Sequence, residues 1–258
     1  MNADPKAALP FPETADIETS SDEYAARFLG PTGQWMLEVQ ERITLGFLAE
    51  QPGAAILDVG GGHGQIAVPL CRRGYAVTVL GSAESCRSRI AAEVDAGRCA
   101  FRVGNVIDLP FPDRSFDTAI SFRLLTHCAR RDRLAAELCR VARRAVIVDY
   151  PTSQSLNRIA PMFFGAKKRF EKNTRTWTPF RHREVLGLFE ACGFRPRRRR
   201  AQFFLPMVLH RALKCRTVSA ALEAAFRAIG LTARWGSPVI VEMVPRPSAA
   251  PSPSRGKR

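Results

Sequence analysis

The stretch Ala54 to Leu70, AAILDVGGGHGQIAVPL, limits what this chain can fold into more than any other. A short apolar run ends on Asp58, passes through Gly60, Gly61, Gly62 and Gly64, and gives way to a helical pattern. Strand, tight turn and helix in that order predict an α/β unit. Glycine is needed where the backbone takes positive φ, or where a ligand must come against bare main chain, and glycines at alternate positions 60, 62 and 64 suit both. The helix that follows is expected to aim its unpaired amides at the same spot. A dinucleotide fingerprint starting at Gly60 would require glycine or alanine at position 65, where Gln65 stands.

The spacing D-x-G-x-G-x-G resembles motif I of the class I S-adenosylmethionine-dependent methyltransferases. That resemblance implies that Asp58 and the backbone of Gly60, Gly61, Gly62 and Gly64 hold the methionine part of the cofactor, S-adenosyl-L-methionine, with His63 shaping the loop. A second match lies downstream. Cys99 to Val103 reads as the third strand, and Gly104-Asn105-Val106 leads into DLPFPDRSFD, Asp108 to Asp117. This run resembles a segment of the ubiquinone and menaquinone methyltransferase-like group, which includes many small-molecule methyltransferases. Asn105, beside Val106, stands where that group has Asp at the adenine amine, and an amide oxygen can accept the same hydrogen bond. Asp117 is expected to brace the fourth strand, Phe116 to Phe122.

By the rule for open parallel sheets, the carboxyl ends of the first and fourth strands face one crevice. Ser121, Phe122, Arg123 and His127, in SFRLLTH, then lie near the transferred methyl, and the segment resembles the family's S-x-x-x-L-x-H. The second strand, Ala76 to Leu80, departs from the family. Where most members end that strand in Asp or Glu, which bonds the ribose hydroxyls, this chain has Gly81-Ser82, with Glu84 two residues on. The Gly81-Ser82 corner is expected to serve the ribose, with Glu84 reaching back as the alternative.

At 258 residues and 46% hydrophobic content the chain can bury one sizeable core. No apolar run of membrane-spanning length occurs, the opening residues lack the basic-then-apolar order of a secretory signal, and a cytoplasmic location is expected. The seven cysteines have no metal-ligand spacing, so reduced thiols and no metal are expected. A formal charge of +15 suggests acidic partners, but 33 of the 39 basic residues are arginine, a bias that coding composition alone can produce.

Residues 1–20 lack periodicity and are read as disordered, 21–50 as a helical lead-in, and 54–150 as the cofactor-binding core. Residues 152–180 read as an insertion or lid, 181–245 as the C-terminal half of the same domain, and 246–258 as a low-complexity tail. The arginine run Arg195 to Arg200 is read as a solvated strand end entering a sixth strand, Ala201 to Leu205. Val218, Leu222, Ala225, Phe226 and Ile229 form one apolar helical face, expected to pack into the core.

The expected fold is a Rossmann-like sheet of seven mostly parallel strands, helices on both faces, the last strand antiparallel as in the family. The function implied by the resemblance is in-line methyl transfer to a small-molecule or lipid-type acceptor, hydrophobic or amphipathic and with an anionic group as an option. An oxygen acceptor would call for a base; His127 is the candidate by position and Tyr150 the second. Two alternatives stand: a nucleic-acid methyltransferase, disfavoured because no RNA-binding appendage or D/N-P-P-Y/F/W tetrapeptide occurs, and a binding domain without turnover. The oligomeric state is not legible.

Overall fold

The computed structural model describes residues 11–156 and 179–247. Ala55–Val59 (β1), Ala76–Gly81 (β2), Cys99–Val103 (β3), Phe116–Ser121 (β4) and Ala142–Tyr150 (β5) run parallel, each with its neighbour. Val239–Pro245 (β7) is antiparallel to β5 and to Phe194–Ala201 (β6), giving the order β3-β2-β1-β4-β5-β7-β6. The expected seven-stranded, mostly parallel sheet is what the chain forms.

A sheet covered on both faces needs strands apolar throughout. Ile56, Leu57 and Val59 of β1, and Val146, Ile147 and Val148 of β5, are fully buried, each contributing about 1.5–3 kcal/mol. One face packs against helices Arg131–Val141 (α6) and His182–Glu190 (α7) through Leu134, Leu138, Val185 and Phe189. The other packs against the end of Gly30–Leu48 (α3) and against Ala67–Arg72 (α4), through Phe47, Leu48, Ile66 and Leu70. Asp117 ties the start of β4 to β1, accepting from the Ala55 amide at 3.0 Å.

Three elements differ from their sequence reading. Ala15–Thr19 (α1) is helical, with Ala15, Asp16 and Thr19 buried, although residues 1–20 read as disordered, whereas Asp22–Ala26 (α2) falls in the expected helical lead-in. The arginine run lies inside β6 rather than before it. β6 is an edge strand, so one side is open to water, and Pro196 sits where its register with β7 shifts. Arg198 turns in, bonding the fully buried Glu242 at 2.6 and 2.8 Å and the carbonyls of Gly46 and Phe47, and Arg197 lies 3.9 Å from the same carboxylate.

The third difference is in Arg216–Ala228 (α9), which follows Met207–Leu213 (α8). It buries Ser219 and Glu223 and leaves Val218, Leu222 and Ile229 exposed. The Glu223 carboxylate accepts from the amides of Phe204 and Leu205, each at 2.8 Å, and pairs with His210 at 3.0 Å. This network satisfies buried donors, and it turns the polar side of the helix inward. Among the described residues no helix is long and apolar enough to cross a membrane, and no group of three or more His, Cys, Asp or Glu could hold a metal ion.

Candidate functional site

The glycine turn after β1 forms a cavity at the carboxyl ends of β1 and β4, lined by Thr19, Asp58, Gly60, Gly61, His63, Gln65, Ile66, Phe122 and Arg123. Gly60 and Gly64 have φ of 75° and 78°, which only glycine adopts freely. Between them Gly61–His63 makes a single 3-10 turn, and α4, six residues long, begins only at Ala67. The turn therefore presents Gly60 and Gly61 to the cavity more than it presents a helix end.

Asp58 is the group this cavity is built around. It is buried, receives no hydrogen bond, and burial pushes its carboxyl up to about 7, against the pull of the Arg123 guanidinium. His63 is buried with both ring nitrogens lacking hydrogen-bond partners. Its ring meets Tyr24 and Phe28 edge-on, and burial beside Arg123 and Arg89 lowers its pKa to about 3. It shapes the loop as a neutral side chain. Arg123 itself has φ of 63°, its amide donates to Asp149 at 2.6 Å, and its guanidinium lies 4.5 Å from the Phe28 ring. Asp149 is pushed up to about 6 by burial, and also accepts from Gln40 of α3 at 3.3 Å.

The other expected site residues are placed as follows. Ser121 is buried and donates to the Val59 carbonyl at 3.0 Å, bracing β4 on β1, and Phe122 lines the cavity. Asn105 turns its amide oxygen onto the Ile107 amide at 3.2 Å, and Val106 is fully buried. Gly81 is packed under Cys86 and Phe101. Glu84 is exposed at the start of the 3-10 stretch Glu84–Ile90. His127 is half-buried in the turn after β4, its amide bonded to Leu124. Tyr150 is fully buried, bonds His182 at 3.0 Å through its hydroxyl, and is pushed up to about 12 by burial. Neither His127 nor Tyr150 lines the cavity.

Sequence reading missed what covers the site. Asp16 of α1 reaches the β2 tip, where it accepts from the Ser82 amide at 2.6 Å, the Ser82 hydroxyl at 2.5 Å and the Cys86 thiol at 3.4 Å. A Cβ on Gly62 would collide with the Ser20 hydroxyl and the Cys86 carbonyl, so that glycine serves the chain's own packing. With α1 in place, the volume open to the centre of a water molecule is about 10 Å³, room for one water. An acid in an aperiodic N-terminal stretch carries no pattern that would have marked it.

The donorless Asp58 carboxylate beside bare glycine backbone fits the ammonium of S-adenosylmethionine. The Gly81-Ser82 corner, expected to serve the ribose, is covered by Asp16 of α1.

Comparison with known proteins gives three findings. Residues 57–148 match the family model described as a methyltransferase domain. The O-methyltransferase resE of Aspergillus sclerotiorum is 29% identical over 184 residues, 59% of this chain and 69% of the relative; the O-methyltransferase cnsE of Penicillium expansum is 33% identical over 131 residues, 45% of this chain and 47% of the relative. The chain thus spans about two thirds of one curated relative and under half of the other. The crystal structure of magnesium protoporphyrin IX methyltransferase from Synechocystis PCC 6803, with bound SAH, superposes with a TM-score of 0.61 at 14% identity, covering 89% of this chain and 97% of that one.

Proposed function

We propose that the chain is a class I S-adenosylmethionine-dependent methyltransferase, which transfers the methyl of S-adenosylmethionine to a hydroxyl of a hydrophobic or amphipathic small molecule. The observation that carries this reading is the buried, donorless Asp58 on a glycine-lined cavity at the carboxyl ends of β1 and β4. An oxygen acceptor is favoured because both fungal relatives are named O-methyltransferases.

When bound, the cofactor supplies a sulfonium-activated methyl. The chain's residues are left to bind, align and exclude water, and alignment with desolvation can supply much of such catalysis. Asp58 meets the ammonium, and Gly60 and Gly61 let the ligand against main chain. Phe122 walls the side toward β4. His127 is the candidate to take the acceptor's proton.

The acceptor side is assigned to the segment after β5. Its two ends are joined: the Ser153 amide donates to the Phe180 carbonyl, and the Phe180 amide to the Pro151 carbonyl, each at 2.9 Å. The chain therefore leaves and re-enters the fold at one point beside the crevice.

A second reading, a domain that keeps the fold without turnover, is favoured by one observation, the filling of the glycine turn by α1. Calorimetric titration with S-adenosylmethionine and its demethylated product tests cofactor binding, and transfer of a labelled methyl separates the two readings. Following labelled methyl into extracts then identifies the acceptor. Binding accompanied by label in an organic-soluble product is the expected result; absence of binding, or label confined to RNA, refutes the small-molecule reading.

A further inference from the structure

We propose that Arg123 is the binding residue for the carboxylate of the cofactor's amino-acid end, so that Asp58 and Arg123 together read a zwitterion. The inference rests on the cofactor reading above and names a residue for the half of the ligand that Asp58 cannot hold.

Three observations converge on it. First, Arg123 is held by its backbone before any side-chain contact is counted. It follows Phe122 directly at the end of β4, takes the left-handed region with φ of 63°, and gives its amide to the buried Asp149. A non-glycine residue in that region is uncommon, and such positions gather where geometry matters to a site. The residue so held lines the same cavity as Asp58.

Second, the contacts of the guanidinium account for only part of it. One face lies over the rings of Phe28, at 4.5 Å, and Tyr24, at 5.4 Å, and Nη2 reaches the Gln40 oxygen at 3.5 Å. Nη1 is buried and has no hydrogen-bond partner. A guanidinium presents five donors in a fixed fork, and a buried donor left unmet is costly enough that native structures seldom keep one without reason. Stacking on Phe28 and Tyr24 explains the plane of the group and leaves the Nη1 edge unexplained.

Third, the two charges are complementary to one small chemical group. An α-amino acid carries an ammonium and a carboxylate on a single carbon, and this cavity is lined by Asp58, whose carboxylate has no donor, and by Arg123, whose buried Nη1 has no acceptor. Arginine suits a carboxylate partner because its planar fork pairs with two oxygens at once. Thr19 of α1 closes the same cavity, so the pair becomes available as α1 swings away.

The test uses the full chain and three ligands: S-adenosylmethionine, its decarboxylated analogue, and 5′-methylthioadenosine, which lacks the amino-acid end. Wild-type protein should prefer S-adenosylmethionine to the decarboxylated analogue by about tenfold or more, the usual worth of a charge-assisted contact. Arg123→Met should erase that preference and leave 5′-methylthioadenosine binding within about twofold, a shift too small to signal a lost contact. Arg123→Lys should restore part of it. Thermal melts check that each variant folds. Equal losses for all three ligands would assign Arg123 a structural role, and unchanged preference in Arg123→Met would remove it from the site; either overturns the proposal. Wild-type protein that binds none of the three would overturn the cofactor reading with it, whereas wild-type protein that binds all three alike overturns this proposal alone.

Discussion

A carboxylate kept from every donor is costly, and on the proposed reading Asp58 bears that cost for the cofactor's ammonium. Its folded pKa is about 7 against an ordinary value of 3.8, so between those pH values the folded chain holds a proton that the unfolded chain has lost. Stability from this group is therefore present below about pH 4 and declines as pH rises toward 7. Asp58→Asn should raise the melting temperature above pH 7, by a gain of about 1–3 kcal/mol, while weakening cofactor binding. In wild-type protein, an ammonium arriving beside Asp58 needs the ionised form. Affinity should fall about tenfold from pH 8 to pH 6, with release of a proton. His63, neutral down to about pH 3, adds nothing in that window, and Asp149 titrates near 6 on the far side of Arg123. Calorimetry in buffers of different ionisation enthalpy reads the released proton; a pH-independent affinity in wild type would show that Asp58 does not meet a cation. Asp58 was legible because strand, acid and glycines lie within a few residues of one another. Arg123 was legible only as a neighbour, since its role depends on a backbone angle and on the rings of Tyr24 and Phe28, 95 or more positions earlier in the chain.

Elements were legible where periodicity and burial agree, and not where a single polar network decides. The strands of the sheet needed only apolar runs and turn residues. α9 misled because its apolar stripe is regular, yet three bonds to Glu223 outweigh it. α1 was invisible for a related reason: five residues without an apolar repeat are held by Asp16 on Ser82. The same bonds make α1 a latch on the cofactor turn. If binding requires it to open, the apparent affinity is the intrinsic one reduced by the fraction open. Asp16→Ala removes bonds worth about 1–3 kcal/mol and should tighten S-adenosylmethionine binding about fivefold or more by calorimetry. Weaker binding would instead make Asp16 a ligand of the cofactor, standing in for the acid that β2 lacks. Unchanged binding would mean that α1 moves without strain.

At the scale of the whole molecule the sheet divides the work. On the proposed reading β1, β2 and β4 carry the cofactor side, and the segment leaving β5 is assigned the acceptor. Residues 157–178 lie outside the described residues, so the expected lid is argued from its ends and its composition. The ends are hydrogen-bonded to each other at Pro151, Ser153 and Phe180, which lets a short linker close the gap without pulling on β5. Between them the sequence holds Met162, Phe163, Phe164, Phe170 and Trp177 beside Lys167, Lys168, Arg169, Lys172 and Arg175. Apolar and cationic residues interleaved in this way suit an amphipathic acceptor bearing a negative group. Replacing residues 157–178 with a short Gly-Ser linker should leave cofactor affinity within about twofold and lower methylation about a hundredfold or more, since positioning is lost while the methyl donor stays in place. Salt separates this acceptor from a polyanion. An acceptor held by one ion pair should be methylated almost equally at low and moderate salt, whereas binding through many phosphates falls by orders of magnitude over the same range. Methylation that survives the replacement would move acceptor choice elsewhere in the fold, and methylation lost steeply with salt would return the exposed arginines of β6 to consideration as a nucleic-acid surface.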